Sequence, residues 1–216
     1  GARGNVTGSY FPKGSWTLTF DDGPHPVQTK GMMDVLNKHQ VHGTFFWLAK
    51  NMALYPHFID AAKNSKLNLA SHSFSHQQLT KLSGVALEKE IIGASNLFEQ
   101  KVGQRPSLFR CPYGACGKME GSIRQMIASQ NMLHIAWNVD TLDWQDKNPK
   151  SIFERTRKQV DILGRGVILF HDIHAQSVAA LDLLIPYMKS KNQNIRPLID
   201  IINEVGRQPG DPFNSP

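Results

Sequence analysis

Short apolar runs alternate with longer amphipathic stretches about seven times along the chain, and this alternation limits the folds that it can adopt. The runs at residues 16–20, 44–48 and 167–170 are rich in β-branched or aromatic side chains, as buried strands are. Residues 83–101 instead carry apolar side chains at helical spacing. Parallel strands need long crossover connections, which are usually helices. The pattern therefore predicts an α/β fold with parallel strands inside and helices outside.

The number of strand–helix units favours an incomplete barrel over a closed one. A closed barrel of eight units takes about 250 residues, whereas this chain has 216. We expect residues 133–139 to supply the fifth of about seven strands. No G-x-G-x-x-G sequence follows the first strand, so a dinucleotide-binding sheet has no support. We predict a single domain at 16–205, an N-terminal extension at 1–15 and a flexible C-terminal tail at 206–216.

Charge and hydropathy argue against a nucleic-acid-binding protein and against a membrane-spanning one. The net charge is +6, but Lys and Arg form no block, so nucleic-acid binding has little support. The basic excess fits either an ordinary soluble surface or attraction to an anionic matrix such as a bacterial wall. No apolar run approaches the ~20 residues that cross a bilayer. Residues 1–10 do not resemble a signal peptide, which leaves open an export signal that is not present here.

Polar clusters follow the expected strands at their C-terminal ends. They are Asp21 and Asp22 after the first strand, His72 and His76 after the third, Arg110 at the fourth, Asp140 and Asp143 after the fifth, and His171 at the sixth. Catalytic groups of parallel barrels come from the C-terminal ends of several strands. We therefore expect these side chains to meet at one face of the barrel.

Two histidines and a carboxylate are candidates for a metal site. His72 and His76 are four residues apart, and on a helical turn both rings would point the same way. Neutral imidazoles suit Zn²⁺, and one carboxylate would complete a site with an open position. Adjacent residues that leave a strand point to opposite sides, so one of Asp21 and Asp22 is expected to bind metal and the other to contact water. The alternatives are a surface histidine pair and an acidic turn before Gly23.

Three further groups suggest acid–base and electrostatic roles. Arg110 is expected to pair with a carboxylate and hold it ionised, although a structural salt bridge is the alternative. With Asp143 on its far nitrogen, His171 would stay protonated and act as a general acid; a buried, satisfied histidine is the alternative. The turn around Tyr113 places a backbone N–H where it would stabilise an oxyanion.

The remaining aromatic, histidine and cysteine positions are less specific. His25 adjoins the acidic pair and is expected to line the cleft. Trp144 is interpreted either as a wall for sugar stacking or as core, and Trp137 as core within the fifth strand. Cys111 and Cys116 are too few for a disulfide framework, and we favour free thiols over a local disulfide or metal ligands.

The five motifs, in this order, resemble the polysaccharide deacetylases, the NodB-homology family or carbohydrate esterase family 4. The resemblance covers about residues 16–205, and it implies a distorted (β/α)7 barrel that removes acetyl groups from sugars. It also implies a divalent metal, most often Zn²⁺, with Co²⁺ and other divalent ions as alternatives. One departure is Cys111, which stands where the family commonly has proline.

The resemblance also implies a role for each matching position. The implied roles are Asp21 as general base, Asp22, His72 and His76 as metal ligands, Arg110 as partner of the base, Tyr113 as oxyanion donor, Asp143 as partner of the acid, His171 as the acid, and Trp144 and Leu169 as walls of the acetyl pocket. We expect peptidoglycan as substrate, ahead of chitin oligosaccharides, poly-N-acetylglucosamine or O-acetylated xylan. An inactive glycan-binding scaffold is the alternative from another class. A monomer that acts on polysaccharide outside the cytoplasm is expected.

Overall fold

The structure, a computed structural model, describes residues 5–206. Its strands are β1 Ser15–Asp21, β2 Thr44–Trp47, β3 Asn68–Ser71, β4 Leu108–Phe109, β5 Leu133–His134, β6 Val139–Asp140, β7 Gly166–His171 and β8 Asn194–Ile195. Its helices are α1 Gln28–His39, α2 Ala49–Leu54, α3 His57–Asn64, α4 Gly84–Glu88, α5 Ala94–Val102, α6 Ser122–Ser129, α7 Pro149–Leu163, α8 Ala175–Ser190 and α9 Leu198–Glu204. A π-helical turn at Lys89–Gly93 joins α4 to α5.

The strands form one parallel sheet that curls into an open barrel. Their order is β5-β4-β3-β2-β1-β7-β6, with β8 beside β1, and every strand pair is parallel. The two edge strands, β5 and β6, are consecutive in the chain, and only residues 135–138 separate them. Such a short link spans roughly 18 Å at most, so the edges of the sheet lie near each other. The predicted incomplete parallel barrel is confirmed.

The predicted fifth strand at 133–139 is broken into β5 and β6. Ile135 forms a bridge with Val6 from the N-terminal segment. The carbonyls of Ile135 and Ala136 accept hydrogen bonds from the Arg110 guanidinium at 3.0 and 2.9 Å. These carbonyls are therefore occupied by a side chain, and the chain crosses from one edge of the sheet to the other instead of continuing as a strand.

The helices also differ from the periodic pattern in detail. The predicted helix at 83–101 contains the π-helical turn at its centre. Pro56 separates α2 from α3, because proline disfavours helical backbone in the residue before it. Pro186 lies inside α8, which continues to Ser190. Burial of Ile185 and Met188 against the core outweighs the hydrogen bond that proline removes.

Alternate residues of the strands face two different apolar regions. Trp16, Leu18 and Phe20 of β1 lie in the core between sheet and helices, as do Ile168 and Phe170 of β7. Because side chains alternate across a strand, Asp21 and His171 lie on the opposite face, inside the barrel. The interior is filled by a second cluster that includes Phe46, Ala70, Val167 and Leu198.

The N-terminal segment takes part in this interior cluster. Val6 and Phe11 are buried there together with Val167 at the start of β7. The division into an extension at 1–15, a domain at 16–205 and a tail at 206–216 stays a prediction, and residues 207–216 lie outside the described residues. Among the helices of residues 5–206, none has the length and apolar character to span a bilayer.

Candidate active site

Asp21 and Arg110 form a buried ion pair inside the barrel mouth. Asp21, 3% exposed, ends β1 and is the direct Cα partner of His171 at the end of β7. Arg110 Nη1 lies 2.7 Å from Asp21 Oδ1 and 2.9 Å from Thr19 Oγ1. The guanidinium also faces the Phe46 ring, with 4.3 Å from Cζ to the ring centroid. A cation held this firmly fixes the orientation of the Asp21 carboxylate.

Asp22, His72 and His76 converge on one point beside this pair. Asp22 Oδ1 lies 3.1 Å from His72 Nε2 and 3.2 Å from His76 Nε2. Oδ1 is buried, and within residues 5–206 no donor forms a hydrogen bond of good geometry with it. Two ligands of a tetrahedral zinc ion, each about 2.0–2.1 Å from the metal, lie about 3.3 Å apart. The unpaired oxygen and the spacing of the three donor atoms therefore fit a divalent cation.

The prediction that His72 and His76 share a helical turn is wrong. Residues 72–76 form an irregular loop in which Ser73 and His76 have positive φ angles of 76° and 66°. Ser73 Oγ accepts a hydrogen bond from the His76 amide at 3.1 Å. The two left-handed residues redirect the chain, so the rings meet with 5.0 Å between their centroids. The four-residue spacing thus predicted two rings that do come together, but the backbone geometry that brings them together is not helical.

Hydrogen bonding fixes the His72 ring in a form suited to metal. His72 Nδ1 lies 2.8 Å from the Arg110 carbonyl, to which it can only donate, so the lone pair of the neutral ring is on Nε2. Burial opposes protonation of His72, but Asp21 and Asp22 outweigh it and raise its pKa. Burial likewise opposes ionisation of Asp22, but His72 and His76 hold the Asp22 pKa far below its ordinary value. The cluster thus favours positive charge at its centre.

His171 is paired with Asp143 on the opposite side of the cluster. Its Nδ1 lies 2.7 Å from Asp143 Oδ1, and its amide donates to Oδ2 at 2.7 Å. Ser177 Oγ donates to the same oxygen. Burial opposes protonation, but the hydrogen bond and charge of Asp143 raise the His171 pKa to about 9. At neutral pH the ring therefore carries a proton on Nε2, which lies 4.0 Å from Asp22 Oδ2.

The loop after Arg110 is closed by a disulfide between Cys111 and Cys116, so the prediction of free thiols is wrong. The close spacing of the two cysteines around a glycine-containing turn was compatible with this bond. The loop carries Tyr113, whose φ is 61° and whose ring lies edge-on to His76 with centroids 4.7 Å apart. His134 accepts a hydrogen bond from the Cys111 amide at 3.2 Å.

A cleft of about 410 Å³ gathers most of the predicted residues. Its lining residues include Asp21, Asp22, His72, His76, Tyr113, Trp144, Leu169 and His171. Trp137, predicted as core, is partly buried against the interior cluster and also lines the cleft. His25 is absent from the lining, contrary to expectation, and its Nδ1 instead accepts the amides of Val27 and Gln28 at the start of α1. Asp140 also lines the cleft.

Asp172 is a buried carboxylate next to the candidate site that the sequence pattern did not single out. Its buried carboxylate accepts hydrogen bonds from the Gly23 amide, Thr29 Oγ1 and Trp47 Nε1 at 3.2, 2.7 and 3.1 Å. Burial raises its pKa to about 7. A Cβ on Gly23 would lie 2.2 Å from Asp172 Oδ2, so this turn needs glycine. Asp172 therefore holds the chain just after Asp22, and its position beside His171 was the available signal.

The chain is similar in sequence to known proteins. The family model described as Polysaccharide deacetylase matches residues 8–132, more than half of the chain. Peptidoglycan-N-acetylmuramic acid deacetylase PdaC of Bacillus subtilis is 38% identical over 170 residues, which are 78% of this chain and 34% of that protein. Peptidoglycan-N-acetylglucosamine deacetylase PgdA of Listeria monocytogenes is 31% identical over 202 residues, 92% of this chain and 41% of that protein. The chain thus spans well under half the length of these relatives.

The similarity extends to the fold. The solved structure of peptidoglycan deacetylase PdaC from Bacillus subtilis matches with a TM-score of 0.79 at 31% identity, covering 88% of this chain and 91% of that one. This confirms the predicted distorted (β/α)7 barrel. On the family match and this structural similarity, the chain belongs to the polysaccharide deacetylase family.

Proposed function

We propose that this protein is a metal-dependent hydrolase that removes N-acetyl groups from polysaccharide containing N-acetylglucosamine. One observation carries the proposal: the Asp21 and His171 side chains flank the cluster of Asp22, His72 and His76 in a single cleft. A base, an acid and a cation site are the parts that amide hydrolysis needs. Bacterial peptidoglycan is the first candidate substrate, since relatives at 38% and 31% identity are peptidoglycan deacetylases.

Asp22, His72 and His76 would hold the divalent cation. Two imidazoles and one carboxylate suit Zn²⁺, while Co²⁺ and other divalent ions are alternatives. When bound, such a cation supplies Lewis acidity, which polarises a carbonyl and lowers the pKa of water toward ~7.

The other side chains supply proton transfer and orientation. Asp21 Oδ1 is engaged by Arg110, while Oδ2 lies 3.6 Å from His72 Nε2 and faces the cluster. Asp21 is thus placed to take the proton from the attacking water as its oxygen adds to the acetyl carbon. His171, held protonated by Asp143, gives its Nε2 proton to the leaving amine. Acetate and a free amine are the products.

The mouth of the cleft orients the acetylated sugar. The Tyr113 amide, on the loop closed by the disulfide, donates to the oxyanion of the tetrahedral intermediate. Leu169 and Trp144 form walls of the acetyl pocket, and Trp144, which is 55% exposed, offers a ring face to a sugar. We further propose that residues 16–205 form the catalytic domain of an exported, monomeric enzyme without a nucleic-acid partner.

Acetate release measured in parallel on peptidoglycan, chitin oligomers and acetylated xylan tests the proposal. We expect release from peptidoglycan that depends on zinc and is lost in Asp22→Ala and His76→Ala, which should also lose bound metal. Full activity of metal-stripped protein would refute the mechanism. If acetate release were greatest from acetylated xylan, the protein would be an O-acetyl esterase. Glycan binding without acetate release would indicate an inactive scaffold.

A further inference from the structure

Glu90 is a buried carboxylate whose side-chain hydrogen bonds, within residues 5–206, go to the segment between the two candidate histidine ligands. It is 1% exposed and belongs to the π-helical turn Lys89–Gly93. Its Oε1 accepts from Ser75 Oγ at 2.6 Å, and its Oε2 accepts from the Ser75 amide at 3.0 Å. Its backbone carbonyl accepts from the Phe74 amide at 3.1 Å. Glu90 thus fixes the segment that joins His72 to His76.

The setting of Glu90 is unusual for an acidic residue. Burying a carboxylate is costly unless its oxygens are bonded, and among the ion pairs of residues 5–206 none involves Glu90. Both oxygens are instead committed to Ser75. A π-helical turn is rare in α-helices and is frequent at functional sites. Here the π-helical turn interrupts the regular helix at Glu90, whose carbonyl accepts a hydrogen bond from the Phe74 amide outside the helix.

The loop under Glu90 needs an external anchor. Non-glycine residues with positive φ are energetically unfavourable and persist when neighbouring structure holds them, and the loop has two of them, Ser73 and His76. The two ligands are also held unequally. The His72 ring bonds to the Arg110 carbonyl on its far nitrogen. The His76 ring has its polar contact with Asp22, 3.2 Å from Nε2 to Oδ1, and its side chain is 25% exposed.

We propose that Glu90 is a positioning residue of the metal centre. By fixing both the amide and the hydroxyl of Ser75, it places the next residue, His76, with Nε2 3.2 Å from Asp22 Oδ1. It thereby sets the affinity for the divalent cation. This inference rests on the proposed metal-dependent function.

The test compares Glu90→Ala, Glu90→Gln and Ser75→Ala with the wild type. Zinc affinity is measured by competition with a chelator, and the absorption spectrum of the Co²⁺-loaded protein reports ligand geometry. Ser95→Ala is the matched control, since Ser95 is a buried polar residue of α5 whose hydroxyl bonds to Ile91 and Met132, away from the loop. Urea unfolding of each metal-free variant reports the stability separately.

We expect Glu90→Ala to raise the zinc Kd about tenfold or more, the scale seen when ligand-orienting groups are removed. Glu90→Gln should stay close to wild type, because its carbonyl accepts the Ser75 amide and its NH₂ donates to Ser75 Oγ. The zinc Kd of Ser75→Ala should lie between those of the wild type and Glu90→Ala, and Ser95→Ala should bind zinc as the wild type does. The Co²⁺ spectrum should change in Glu90→Ala and in Ser75→Ala, and in neither of the other two variants.

Unchanged zinc affinity in folded Glu90→Ala, even with lower stability, overturns the inference and leaves Glu90 a structural residue. If Glu90→Ala does not fold, Ser75→Ala decides, and a wild-type Kd in that variant overturns the inference equally. Absence of zinc and Co²⁺ binding in the wild type would instead refute the proposed function itself. The two failures are therefore distinguishable.

Discussion

Replacing Arg110 with methionine tests how much the buried ion pair with Asp21 contributes to stability. Methionine keeps much of the apolar contact with Phe46, but it removes the charge 2.7 Å from Asp21. The partners have 0% and 4% of their side-chain surface exposed, so Asp21 would remain as a buried, unpaired carboxylate. Breaking a buried pair in this way costs about 3–5 kcal/mol. The lost hydrogen bonds to Ile135 and Ala136 act in the same direction.

For a chain of this size, each kcal/mol lowers Tm by about 2–4 °C. The expected fall in Tm for Arg110→Met is therefore about 6–20 °C. Urea unfolding followed by tryptophan fluorescence gives the free energy directly. Arg105→Met is the matched control, since its ion pair with Glu99, also 2.7 Å long, is 37% and 50% exposed and should contribute less than about 1 kcal/mol.

A double-mutant cycle with Asp21→Asn separates the charge from the packing. The double variant should be more stable than Arg110→Met alone, because no unpaired charge remains. The coupling energy should be about 0.5–3 kcal/mol, as for residues in direct contact. If Arg110→Met costs no more than Arg105→Met, or if the two single effects simply add, the reasoning about the buried pair is refuted.

Three further outcomes follow from the site. A chelator should abolish acetate release, and added Zn²⁺ should restore it in the wild type but not in Asp22→Ala. Activity should fall as pH rises through the His171 pKa, which is raised to about 9 without metal and is lowered somewhat by a bound cation; Asp143→Asn should shift this alkaline limb to lower pH in a pH–rate profile. The double substitution Cys111→Ser and Cys116→Ser should lower the free energy of unfolding by about 2 kcal/mol, the value for a short closed loop, as measured in urea.

Each of these outcomes has a result that contradicts it. Chelator-resistant activity would exclude a catalytic cation. An unchanged alkaline limb in Asp143→Asn would mean that His171 is not the titrating acid. Unaltered unfolding of the double serine variant would show that the disulfide does not restrain the loop. Activity must fall, and not rise, as pH increases through the His171 pKa, because a general acid works in its protonated form and that form is lost above its pKa.

The polar residues at strand ends were predictable because parallel strands bring their C-terminal ends to one rim. Asp21 and His171 illustrate this, since a single register places them as direct neighbours in β1 and β7. The position of both residues at the ends of regular strands was enough to predict that they lie together.

The irregular parts were not predictable in the same way. His76 reaches Asp22 through left-handed backbone, which no periodic pattern encodes. The break at Ile135 depends on Arg110, a side chain 25 residues away in sequence. Asp172 acts through contacts with Gly23 and Trp47, and such long-range partners appear only once the chain is folded.

The buried N-terminal segment bears on how this protein is handled in the laboratory. The family match begins at residue 8 and ends at residue 132, before the strand that carries His171, and the first strand begins only at Ser15. A fragment that begins at residue 8 would lack Val6. A fragment that begins at residue 16 would lack Phe11 as well, and the interior cluster that both residues cover would be open to solvent. Recombinant versions should keep Asn5 onward, and shortened forms are expected to express poorly because their exposed apolar surface invites aggregation.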